Sequence, residues 1–133
     1  MNALDTNALV RFLVRDDEKQ AQAVRRIISE AEGSGTSLFV SLLVLLETVW
    51  VLGSTYGFDR DTIVRALDAI TALRGLELED RESVCELCQV AGTQPAGIPD
   101  LLIGIVARSR GCENVLTFDQ KAAKTKYFKL IGP

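Results

Sequence analysis

Residues 38–52 read LFVSLLVLLETVWVL, and their interpretation decides the fold. Glu47 is the only charged residue between Glu32 and Asp59. The run is shorter than the roughly 20 apolar residues a membrane-spanning helix needs, and it carries an acid near its middle. It is therefore read as a buried strand, residues 37–41, running into a buried helix, residues 42–56. Trp50 is expected to pack in the core.

The same alternation extends in both directions. Upstream, residues 2–4 form a very short strand, and Asp5-Thr6-Asn7 turns it into a helix over residues 8–14. Asp16 and Asp17 are good caps for the next helix. In that helix Val24, Ile27, Ile28 and Ala31 share one face, and Gly33-Ser34-Gly35 ends it. Downstream, residues 60–74 form a helix with Ile63, Ala66, Leu67, Ile70 and Leu73 inward, stopped by Gly75. Residues 76–79 give a short strand. Asp80 caps a helix that turns Val84, Leu87, Cys88 and Ala91 to the core. Residues 92–99 are loop-like. Pro99 suits a first helical position, and Leu102, Ile105 and Val106 carry that helix to Gly111. Residues 114–118 and 127–131 are the last strands. Strands alternating with helices imply a mostly parallel sheet of four or five strands in an α/β fold, with helices on both faces. No repeat or linker divides the 133 residues, so one domain, 1–133, is expected.

Composition narrows the chemistry. The hydrophobic fraction is 47% and the formal net charge is −3, so attraction for nucleic acid must be local. The amino terminus has no basic start and no long apolar run, which with three cysteines predicts a cytoplasmic protein with reduced thiols. Cys85-Glu86-Leu87-Cys88 has C-x-x-C spacing, but it falls inside an amphipathic helix and has no second ligand pair, so core packing is expected. Cys112 reads as structural. There is no histidine. That excludes serine–histidine and cysteine–histidine catalysis and histidine-ligated zinc. A catalytic site must rest on carboxylates, lysines or a metal.

Four acids stand where such a site would be. Asp5 and Asp119 each directly follow a strand, and ligands of open α/β sheets bind beyond the carboxyl ends of strands. Asp100 lies in the first turn of a helix. Glu47 is the lone charge of an apolar helix, where it either snorkels outward or is held in by a partner, since an unpaired buried carboxylate is costly. Each has a plain alternative: a loop acid, a helix-start acid, or a structural ion pair for Glu47. Gathered together, the four would repel one another unless a cation neutralised them, and oxygen-only ligands suit Mg2+ or Mn2+. Such an ion favours phosphodiester hydrolysis. Lys121, Lys124, Lys126 and Lys129 follow Asp119 with no acid among them, and either hold a nucleic-acid backbone or form a solvated face.

These motifs resemble the PIN-domain ribonucleases, in particular the VapC-type toxins of toxin–antitoxin pairs. The matching segments are Leu4-Asp5-Thr6-Asn7-Ala8-Leu9-Val10-Arg11, Leu46-Glu47, Pro99-Asp100-Leu101-Leu102-Ile103-Gly104 and Val115-Leu116-Thr117-Phe118-Asp119. They occur in the family's order along nearly the whole chain. The resemblance implies a three-layer, Rossmann-like α/β/α fold and RNA cleavage with Mg2+ or Mn2+ held by Asp5, Glu47, Asp100 and Asp119. Asp119 is alternatively a ligand through water, or orients the lysines after it. Thr6, Asn7 and Thr117 match positions that support the acids, and Lys121 and Lys124 are candidate substrate contacts. A homodimer and a cognate antitoxin are implied as well. Two residues depart from the pattern: Ile98 precedes Pro99, and Leu101 replaces a small residue, which puts the local pocket shape in question. Competing readings are a PIN fold that binds RNA or a partner without cutting and a haloacid-dehalogenase-like phosphatase. The latter needs an aspartate where Asn7 stands. A receiver domain would need a better phosphate acceptor than Asp80.

Overall fold

Asp5, Asp17, Ser41 and Asp59 each accept a hydrogen bond from the backbone N–H three residues on, at 2.9, 3.1, 3.1 and 2.9 Å. Each bond satisfies a donor that a helix start leaves orphaned. They begin α1 (Thr6–Val14), α2 (Glu18–Gly33), α3 (Leu42–Ser54) and α4 (Arg60–Thr71) in a computed structural model that describes residues 1–132. Asp16, expected as a second cap, instead takes Arg11 and the Tyr56 hydroxyl, because Asp17 already occupies the cap position.

The described residues divide into two compact units, one over Met1–Arg81 and one from Glu82 onward. In the first, β1 (Leu38–Val40) pairs in parallel with β2 (Leu76–Leu78), Leu38 opposite Leu76 and Val40 opposite Leu78. All four of these side chains are buried, whereas Glu77 faces out. Ala3 joins the other edge of β1 by a parallel bridge to Phe39. Gly75 is buried just before β2, where a Cβ would stand 2.6 Å from the Ile28 carbonyl oxygen. Only glycine lets α2 approach that closely.

Two expectations for this unit are corrected. α3 is not buried all round. Leu45, Thr48, Val49 and Leu52 face inward, but Leu43 is 79% and Trp50 65% exposed, with Glu47 also exposed between them. The spacing of residues 43, 47 and 50 puts them on one helical face, and the apolar run spans both faces, so periodicity could not tell inside from outside. Trp50 is therefore no core residue. Ile27 is likewise 45% exposed while Val24, Ile28 and Ala31 are buried.

The second unit contains α5 (Arg81–Val90, from its second residue), α6 (Ile98–Ser109), β3 (Val115–Thr117), a 3-10 turn (Ala122–Lys124) and β4 (Phe128–Leu130). β3 and β4 pair in parallel, Val115 opposite Phe128. Tyr127 anchors this unit. Its buried ring sits on Gly104 and under the Arg108 guanidinium, 4.8 Å from the centroid, and its hydroxyl donates to Glu86 at 2.8 Å. Burial, reinforced by the Glu86 carboxylate, pushes the phenol up to about 12. Cys85 and Cys88 are half-buried thiols on α5, and Cys112, expected to be structural, is exposed. Ile98 and Leu101 are buried, so both departures noted in the sequence serve the core. Among the described residues no helix is long and apolar enough to cross a membrane.

Candidate active site

The turn from the Ala3 bridge into α1 brings Asp5, Thr6 and Asn7 opposite one face of α3. Val44, Glu47 and Val51 lie on that face, at helical spacing. Together these six residues line an open cleft of about 370 Å³. Thr6 Oγ1 donates a hydrogen bond to Glu47 Oε1 across it. Asp5 spends Oδ1 on the Ala8 N–H, which fixes its rotamer. Asp5 Oδ2 and Glu47 Oε2 accept no hydrogen bond among the described residues, so both remain for a ligand. Glu47 is thus neither a buried orphan nor part of an ion pair. It is an exposed carboxylate steadied by a neighbouring hydroxyl.

The donor set is entirely oxygen, which fits Mg2+ or Mn2+ and not a soft metal. Among the described residues no three acidic or cysteine side chains form a ready cage for an ion. Two carboxylates still suit Mg2+, which keeps several waters and is commonly held by one or two acids plus substrate phosphate.

Asp100 and Asp119 belong to the second unit, on different elements. Asp100 is half-buried in the first turn of α6, whose cap residue Gly97 offers no side chain to the helix start. Asp119 is exposed and opens the 3-10 turn: Oδ1 accepts from Lys121 N at 2.8 Å and Ala122 N at 3.2 Å. Thr117 holds it from behind, its Oγ1 accepting the Asp119 N–H at 2.9 Å. Lys121, Lys124, Lys126 and Lys129 are all exposed, with Lys126 lying over the Tyr127 ring at 5.2 Å. The lysines therefore follow a turn and a strand edge, not a helix face.

A family profile for the PIN domain matches residues 3–127. The chain belongs to the PIN domain family. It is also 26% identical to the VapC ribonuclease of Aquifex aeolicus (strain VF5) over 133 residues, which is all of this chain and 97% of that protein. The Rossmann-like α/β class read from the sequence stands with this membership, its strands arranged as the parallel pairs described above. Sequence reasoning overlooked Arg11, one helical turn beyond Asn7. The i, i+4 spacing inside the first motif was a signal that could have found it.

Proposed function

We infer that this PIN domain is an endoribonuclease dependent on Mg2+ or Mn2+, and the toxin of a toxin–antitoxin pair. The observation that carries the reading is the cleft in which Asp5 and Glu47 stand together, Glu47 held by Thr6, in a chain of this family. The VapC ribonuclease similarity supports the choice of RNA as substrate.

When bound, such an ion supplies Lewis acidity that steadies charge on a phosphodiester and acidifies water. The chain's own residues supply position. Asp5 is fixed by its capping bond, and Glu47 is oriented by the Thr6 hydroxyl. Asp100 and Asp119 act as the further acids of the same reaction, on the strength of their order and motif context. Lys121 and Lys124 follow the Asp119 turn and provide local positive charge for the RNA backbone in a chain whose net charge is unfavourable. Residues 1–133 are read as a single PIN domain, since the family profile runs over residues 3–127. Leu43 and Trp50, exposed on either side of Glu47, offer apolar ground beside the carboxylate for an antitoxin segment or for a second copy of the chain.

The test is incubation with total cellular RNA, with and without EDTA, followed by sequencing of the new ends. Discrete cuts that need Mg2+ or Mn2+ are expected, lost in Asp5→Asn, Glu47→Gln, Asp100→Asn and Asp119→Asn. Equal cutting in EDTA overturns metal dependence. RNA binding without cutting under any divalent ion would make the protein a binding module.

A further inference from the structure

We propose that Arg11 is a phosphate-binding residue that receives the RNA strand as it leaves the acidic cleft. This rests on the ribonuclease reading above and adds a subsite to it.

Arg11 lies on α1 four residues after Asn7, on the same face and about 6 Å along the axis. Asn7 lines the acidic cleft and also a second cleft of about 340 Å³ between α1 and α2, whose other walls include Ala8, Arg11, Gln20 and Val24. The two clefts thus share a wall at Asn7, and a strand held at Asp5 and Glu47 has Arg11 as the next cation along α1.

The guanidinium is held as a binding group would be. Nε donates to Gln20 Oε1 at 2.7 Å, and Nη1 donates to Tyr56 at 3.2 Å and to Asp16 at 3.3 Å. Among the described residues Nη2 donates no hydrogen bond, so both of its protons are left for an oxyanion. Its side chain is 30% exposed, enough to be reached and buried enough to be fixed. A fork ordered in advance loses little entropy on taking a phosphate, and arginine matches that geometry where lysine does not. Asp16 is the carboxylate that competes for the charge, and its side chain is 43% exposed. Asp17 lies nearby but caps α2.

The alternative is that Arg11 merely ties α1 to α2 and Tyr56. The two roles separate in the salt dependence of binding. A short fluorescent single-stranded RNA of mixed sequence is titrated in EDTA, which blocks cleavage, over a range of salt. Arg11→Gln should lower the slope of log affinity against log salt by about 0.7, the loss of one phosphate contact on a single strand. It should also raise KM severalfold with little change in kcat, and leave the Mn2+-induced thermal shift intact. Arg11→Lys should restore most of the slope. Should Arg11→Gln fail to fold, Asp16→Asn carries the test. It should tighten RNA binding more than Asp17→Asn, which removes the same charge from a carboxylate that does not touch Arg11. A folded Arg11→Gln with an unchanged slope, or equal effects of the two asparagine variants, overturns the assignment while leaving the ribonuclease reading in place. A parent protein that neither binds nor cuts RNA refutes both.

Discussion

Asp5→Asn separates the two jobs of one carboxylate. Asp5 caps α1 through Ala8 N and lines the cleft with Glu47. Asparagine is as good a cap as aspartate, so the helix start survives. The lost negative charge at the helix amino terminus costs about 0.3–1 kcal/mol, and relief of repulsion from Glu47 works against that cost. The metal-free stability should therefore stay within about 1 kcal/mol of the parent. The response to metal should not survive. On the proposed reading, Mn2+ at ~100 times its dissociation constant should stabilise the parent by about 2.7 kcal/mol. For a chain of 133 residues that is a rise in Tm on the order of 10 °C. Asp5→Asn should show little or none of it. Asp5→Ala, which also removes the cap, should lose the response and a further ~1 kcal/mol without metal. Thermal unfolding followed by dye fluorescence, in EDTA and in increasing Mn2+, reads all three proteins. An Asp5→Asn protein that keeps the parent's Mn2+ shift refutes the claim that Asp5 is a ligand.

Thr6→Val removes the hydroxyl that holds Glu47. Glu47 is exposed and can take water instead, so stability should fall by no more than about 1.5 kcal/mol. Mn2+ affinity, measured by calorimetry, should fall by ~10–100-fold, and Thr6→Ser should recover it. Gly104→Ala would place a Cβ 2.4 Å from Tyr127 Cβ. Overpacking of about 1–3 kcal/mol exceeds the roughly 1 kcal/mol gained in helix propensity, so urea unfolding should show a net loss. The Tyr127 phenol is raised above its usual value of 10 to about 12. Its contribution is thus fully present below about pH 10 and fades as pH rises toward about 12. Tyr127→Phe should flatten that alkaline limb of the stability curve, and an identical limb in the variant would remove Tyr127 as its cause.

The parts of this fold that local chemistry dictates were legible. Asp17 reads as a cap because a short acidic side chain reaches the N–H three residues on, and Gly75 as the stop between α4 and β2; that Asp5 and Asp59 cap in the same way, and that Gly75 and Gly104 sit where no side chain fits, came from the structure. Faces with clear periodicity were legible too: Ile63, Leu67 and Ile70 are buried on α4, and Val84, Leu87 and Ala91 on α5 and the turn beyond it. α3 was not. Thirteen residues with a single charge offer no polar stripe to mark the solvent side, so Leu43 and Trp50 were assigned inward when they face out. Asp16 reads as a cap it does not fill, and the contacts that fix Arg11 were not foreseen, for a related reason. Their roles arise from Tyr56 and Gln20, partners that no local pattern pairs with them.

The placement of Glu47 changes why it matters. An apolar helix left two placements open for this carboxylate, snorkelling outward or held in the core by a partner, and a cation was the partner that would offset its cost of burial. In the structure it is exposed, and water can solvate it, so burial does not compel an ion to bind. What distinguishes Glu47 is orientation. Thr6 holds Oε1 and leaves Oε2 open in a cleft that Asp5 also enters. A site of this kind depends on two constraints, the Asp5 cap and the Thr6 hydroxyl, which position two negative charges near each other in solvent. Affinity for a divalent ion then depends on how well those constraints hold. That is why Thr6→Val, a change that removes no ligand, should weaken Mn2+ binding far more than it weakens the fold.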